Sequence, residues 1–271
     1  MDSLKVLNSE LEKLRLATFP FAIKLLRSKD EIPENAKKPV EDFQACLSTC
    51  QAFTLTRRRG MTVVQLKEDM WCPMPVMGFG LAEPPQMYLE GRNRYPGSTK
   101  SLEAGATSAQ ELPCLPVGEY IGVLTAPLDK VDFEPDVVVL YCNPAQLLKL
   151  LHANAYQTGR DLSVKLSGNA ACVYCVVPSM QTKECYVSSP CSGDRRRAGA
   201  QDDELIFTIP LEKVEDMIEG LQKGGGNLPV VPNMVPEHKL AASYAEICTI
   251  MGMTDSMGKR ITGSTKRRPY E

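Results

Sequence analysis

Ten cysteines are spread through this 271-residue chain, and the way they are used decides what it can be. The first residues, MDSLKVLNSELEKLRL, are amphipathic, with no uninterrupted apolar stretch and no small-residue cleavage site, so they do not read as a secretory leader. A cytoplasmic setting is therefore expected. There thiols stay reduced, and clustered cysteines serve metals or catalysis more often than disulfides. No segment approaches the roughly 18 consecutive apolar residues that span a bilayer, and the run Val137 to Leu140 is only strand-sized, so no membrane association is expected.

Composition narrows the class further. Hydrophobic residues at 43% and charged residues at 24% are ordinary globular values, and the length suits one elaborated domain over 1–271. Thirty-one basic residues against 33 acidic ones give a net charge of −2, and aromatics are only 6%, which argues against a nucleic-acid partner.

Along the chain, Leu4, Leu7, Leu11 and Leu14 mark an amphipathic N-terminal helix. Strands are expected at 20–27, 62–66, 120–125, 136–141, 184–188 and 204–209. The spacing in EDFQACLSTCQAF (41–53) predicts a helix with Cys46 and Cys50 on one face. A further helix is expected over 83–95. The stretch 96–116, rich in Gly, Ser, Thr and Pro, reads as a surface excursion. DVVVLYC, then Asn143-Pro144, then AQLLKLLHANAY reads as strand, cap and helix, with Leu147, Leu148 and Leu151 on the buried side. Gly168 to Pro178 predicts a helix carrying Cys172 and Cys175, and LEKVEDMIEGLQK another that ends in glycines. Residues 226–271 read as a helical extension with a basic tail. Alternating strands and helices place the chain among α/β or α+β folds, with a mixed central sheet, flanking helices and the cysteine loops converging on one metal site.

Familiar chemical motifs fail. Gly78-x-Gly80 lacks the third glycine of a dinucleotide fingerprint, and Gly252 to Lys259 has the wrong spacing for a P-loop, with Arg260 where Ser or Thr is needed. Only His152 and His238 exist as histidine bases, so triad hydrolysis is not expected and no general base can be named. The cysteines remain. Cys46 and Cys50, Cys72 before Pro73, Cys172-x-x-Cys175, and Cys185 with Cys191 form the richer groups, whereas Cys114, Cys142 and Cys248 stand alone. Zinc sites favour paired knuckles, of which there is one, while iron-sulfur ligation tolerates scattered thiolates in Gly-, Ser- and Pro-flanked loops. An iron-sulfur site is the leading expectation; zinc, a redox dithiol and simply buried cysteines stay open. Arg57-Arg58-Arg59 and Arg195-Arg196-Arg197 follow two of these cysteines. They are either solvated charge or cations beside the site, with Asp202, Asp203 and Glu204 as ion-pair partners.

Several segments in order carry a resemblance: CQAFTLTRRRG (50–60), CPMPVMGFGL (72–81) after an acidic residue, EPDVVVLYCNPAQLLKLLHANAYQTG, GNAAC (168–172), PCSGDRR (190–196) and DDELIFTIP. Together, over about 18–225, they resemble domain-of-unknown-function family 169, a group found widely in anaerobic archaea and bacteria. The resemblance implies no known activity, but it implies cysteines at positions matching Cys50, Cys72, Cys172 and Cys191, taken as the core ligand set. This chain adds Cys46 and Cys175, which would complete six thiolates for a 4Fe-4S cluster or a larger multi-cubane assembly. The expectation is an iron-sulfur protein of anaerobic metabolism, in electron transfer or as an oxidoreductase on an unknown substrate, with a redox partner protein and a homo-oligomeric state. The rival is a small-molecule-binding or regulatory protein with buried structural cysteines, or a zinc protein.

Overall fold

The computed structural model describes residues 2–225 and 242–253. The chain divides into two compact units, Met1–Leu228 and Pro229–Glu271. In the first unit the strands are β1 (Phe21–Leu26), β2 (Val63–Leu66), β3 (Gly122–Pro127), β4 (Val137–Cys142), β5 (Tyr186–Ser188) and β6 (Leu205–Pro210). The helices up to the third strand are α1 (Asp2–Glu12), α2 (Pro39–Phe43), α3 (Thr49–Arg59), α4 (Pro73–Gly78), α5 (Gln86–Leu89) and α6 (Leu102–Gln110). After it come α7 (Pro144–Ala155), α8 (Ala171–Tyr174), α9 (Val177–Thr182), α10 (Ser192–Ala198) and α11 (Val214–Lys223). The second unit contributes α12 (Ala242–Ile250); the rest of the expected extension, including the basic tail, lies outside the described residues.

The strands form one six-stranded sheet in the order β2-β3-β1-β4-β6-β5. Every strand pairing in it is antiparallel, so the fold is α+β in character, and the mixed sheet expected from the sequence is corrected to an antiparallel one. β3 and β4 are buried at every residue, because helices cover both faces of the sheet. Alternate residues feed two cores. Ala22, Val138, Leu140, Phe207 and Ile209 face α1, α7 and α11. Phe21, Ile23, Val139, Tyr141 and Ile206 face the other way, under the shorter helices that carry the cysteines.

Three further expectations change. The helix predicted over 41–53 starts instead at Thr49, because the Ser48 hydroxyl accepts from the Gln51 N–H and Gln51 returns the bond, a capping box that fixes the start. The stretch 96–116 contains α6 and buries Ala109, Leu112 and Leu115 in the cysteine-side core. The face that α7 buries centres on Gln146, Lys149, Leu150 and Ala153; Leu147 and Leu151 pack half-buried against the same core as expected, and Leu148 is half exposed. Its polar members are satisfied: Gln146 donates to Leu14 O and Arg15 O, and Lys149 to Gly224 O and Gly225 O.

Candidate metal centre

On the cysteine-side face, Cys50, Cys72, Cys172 and Cys191 line one cavity of about 250 Å³. Each stands at the beginning of a helix. Cys72 is the N-cap of α4 and Cys191 the N-cap of α10, while Cys50 is the second residue of α3 and Cys172 the second of α8. Helix N-termini offer free N–H donors and a partial positive charge, which suits thiolates. Cys50 and Cys172 are buried at the floor, and Cys72 and Cys191 are half-buried towards the rim.

The helices are pinned by specific contacts. Trp71 Nε1 donates to Gln51 Oε1 at 3.1 Å, tying the Cys72 turn to α3. Thr54 Oγ1 donates to Ala198 O at 2.6 Å, holding α10 against α3. Thr208 Oγ1 of β6 donates to Cys175 O at 2.6 Å, and Tyr174 OH to Glu111 O at 2.7 Å, which fixes α8 between the sheet and the end of α6. Gly78 of α4 packs so closely on α8 that an added Cβ would lie 2.4 Å from Val173 Cγ1. Ala170, just before α8, has φ 49°, a left-handed conformation that costs a residue with a Cβ roughly 1–2 kcal/mol, and it lines the cavity.

Three of these thiols are shifted by their surroundings. The Cys50 thiol is pushed well up by its neighbours Cys172 and Cys191 and by burial. Cys191 moves the opposite way, to about 5, because the Cys50 thiol and the N–H groups of Ala171, Asp194 and Gly193 outweigh burial. Burial pushes Cys72 to about 11, against the pull of the Met74 N–H and the Arg197 guanidinium.

The remaining two expected ligands do not line the cavity. Cys46 is exposed in the segment before Ser48 and donates to Glu68 O at 3.5 Å, so the shared helix face with Cys50 does not exist. Cys175 follows Cys172 by one turn but is fully buried, its thiol turned back to Cys172 O at 3.4 Å. Among the described residues no three His, Cys, Asp or Glu side chains gather around one ion position.

Behind the cavity lies a buried polar chain with little local signal in the sequence. Arg57, fully buried, pairs with Glu204 at 2.9 Å and 3.3 Å, and its guanidinium carbon lies 3.8 Å from the Tyr141 ring centre. Tyr141 OH donates to Asp194 Oδ2 at 2.8 Å, and Asp194 Oδ1 has no partner. Burial pushes the Asp194 carboxyl up to about 6, against the Tyr141 hydroxyl and Arg57. Thus one arginine of the first run is a core cation, and Glu204 of the acidic segment is its partner. In the second run, Arg195 meets Asp202 at 3.6 Å and Arg197 lines the cavity. Asn93, Arg94 and Asn169 also line it without having been singled out in the sequence; no local pattern marks them, since they meet only in three dimensions.

An antiparallel sheet covered on both faces, with four cysteines at helix starts around one cavity, defines an α+β protein with a thiol-lined site. Residues 11–220 match domain-of-unknown-function family 169, described as uncharacterised ArCR, and the chain belongs to that family. It is 29% identical over 217 residues to the uncharacterized protein MJ0308 from Methanocaldococcus jannaschii, covering 79% of this chain and 91% of that one. No solved structure matches it. Among the described residues, no helix is long and apolar enough to cross a membrane.

Proposed function

We propose that this chain is an iron-sulfur protein of anaerobic metabolism, with one 4Fe-4S cluster held by Cys50, Cys72, Cys172 and Cys191 and a role in electron transfer or redox catalysis. The observation that carries the reading is that these four cysteines, from four separate helix starts, line a single cavity. Four thiolates are the usual ligand set of such a cluster. Each thiolate there takes its own iron, so the sulfurs need not gather around one point as they do around zinc, at about 2.3 Å from a common centre. The cluster's negative charge is offset by the helix N-termini and by the N–H groups of Ala171, Gly193 and Asp194 aimed at Cys191. Cys46 and Cys175 stand outside this set, which limits the reading to a single cluster per chain.

Serine variants test it. In protein purified without oxygen, replacing any one of Cys50, Cys72, Cys172 or Cys191 by Ser should bleach the visible chromophore and lower bound iron, while Cys46→Ser should leave both unchanged. Wild-type iron and spectrum in all four variants would overturn the ligand set. Stoichiometric zinc in place of iron would move the assignment to a zinc protein.

A further inference from the structure

The mouth of the cysteine cavity carries positive charge that the thiols alone do not account for. Arg197, from α10, lays its guanidinium carbon 4.3 Å from the centre of the Trp71 ring, a stacking that fixes its direction. Arg94 enters from the turn after α5 and donates from Nη1 to Asn169 Oδ1 at 2.6 Å. Both arginines line the cavity, with Asn93, Ser192 and Gly193 beside them. Among the described residues neither is in an ion pair with a carboxylate, although Arg27, Arg57, Arg58, Arg92 and Arg195 all are. Two guanidiniums held by neutral partners at one concave site leave donors for a planar anion, and a guanidinium matches a carboxylate in two parallel hydrogen bonds.

A second feature gives the ligand a body. Arg94 and Asn169 also line an adjoining cavity of about 350 Å³, with Thr107, Ser108, Ser167 and Lys165, the last paired with Glu111. The Arg94–Asn169 hydrogen bond is therefore a wall common to the cysteine cavity and to a larger space of mixed lining, in which Leu112, Leu166 and Tyr174 stand beside the polar groups. An inorganic oxyanion would satisfy the guanidiniums but would leave that space unused.

We propose that Arg94 and Arg197 receive the carboxylate of a small organic acid at the mouth of the cysteine cavity, with the body of the acid in the adjoining cavity. As an assignment of substrate this rests on the iron-sulfur reading; as an assignment of a binding site it stands without it.

Trp71 is the chain's single tryptophan, so its fluorescence reports on the mouth alone. Succinate, inorganic phosphate and sodium chloride are titrated into the full chain, once as purified without oxygen and once after metal removal, with calorimetry as a second readout because Arg197 itself touches the indole. Succinate should give a saturable change, weakened at least about tenfold in Arg94→Gln and in Arg197→Gln, as the loss of a charged hydrogen bond predicts. Arg196→Gln, on the same helix but off the cavity, should bind like the parent. A response no different from sodium chloride, or saturable binding that both variants keep, overturns the proposal. Phosphate binding as tightly as succinate overturns the organic acid. If iron is present and succinate does not bind, only this proposal falls; if succinate binds through both arginines and no iron is found, only the iron-sulfur reading falls.

Discussion

At Cys191 the Cys50 thiol, aided by the N–H groups of Ala171, Asp194 and Gly193, overcomes burial and brings the pKa to about 5. The sign sets a reactivity window for the metal-free protein: the thiolate persists down to about pH 5 and is lost below it. Cys50, Cys72, Cys142, Cys175 and Cys185 are all pushed upward and stay protonated at pH 6. Iodoacetamide at pH 6 should therefore modify Cys191 ahead of those five, as read by peptide mass spectrometry, and Cys50→Ala should move the window to higher pH. Equal labelling of Cys72 and Cys191 would contradict this. Residue-scale reading of the sequence went wrong where one side chain chose between patterns. Cys46 and Cys50 have helical spacing, but Ser48 between them caps a helix that excludes Cys46. Arg57-Arg58-Arg59 reads as either a solvated run or cations beside the site, and helical periodicity divides it: Arg57 alone turns into the core while Arg58 and Arg59 point outward.

Short helices, more than loops, bring the thiols together, and their mutual fit is set by small residues. Gly78→Ala should drive its new methyl into Val173, part α4 from α8, and cost about 1–3 kcal/mol in chemical denaturation. It should also lower iron content, because Cys72 would be drawn away from Cys172. Val173→Ala in the same chain should recover much of both losses; a Gly78→Ala protein of unchanged stability would show that the two helices do not depend on this contact. The strands were legible at this scale, since all six lie within about two residues of the ranges their apolar runs suggest. Their direction was not. VVVLYC is apolar throughout because helices cover both faces of β4, and a doubly covered strand looks the same in a parallel or an antiparallel sheet. The stretch 96–116 hides its burial for a related reason: Leu112 and Leu115 are interrupted by Pro113 and Pro116, which break any regular period, and they are buried by tertiary packing.

For the molecule as a whole, the sheet separates an apolar layer under α1, α7 and α11 from a second, larger apolar layer that holds the cysteines. The Glu204–Arg57–Tyr141–Asp194 chain crosses from the turn before β6 through α3 and β4 to α10, joining the sheet to the helices that present Cys50 and Cys191. Glu204→Gln should strand the fully buried Arg57 charge and cost about 3–5 kcal/mol in urea unfolding, whereas a cost under about 1 kcal/mol would show that the pair is not structurally important. Both cores and all four cavity cysteines lie within residues 1–228. A chain ending at Leu228 should accordingly keep its iron and a cooperative unfolding transition. The central claim is the cluster, and its most direct measurement is Mössbauer spectroscopy with iron and sulfide analysis on 57Fe-grown, anaerobically purified full-length protein. The account predicts about four irons and about four sulfides per chain, all in one cubane signature; a native chain with all four cavity thiols free and no iron or sulfide would contradict it.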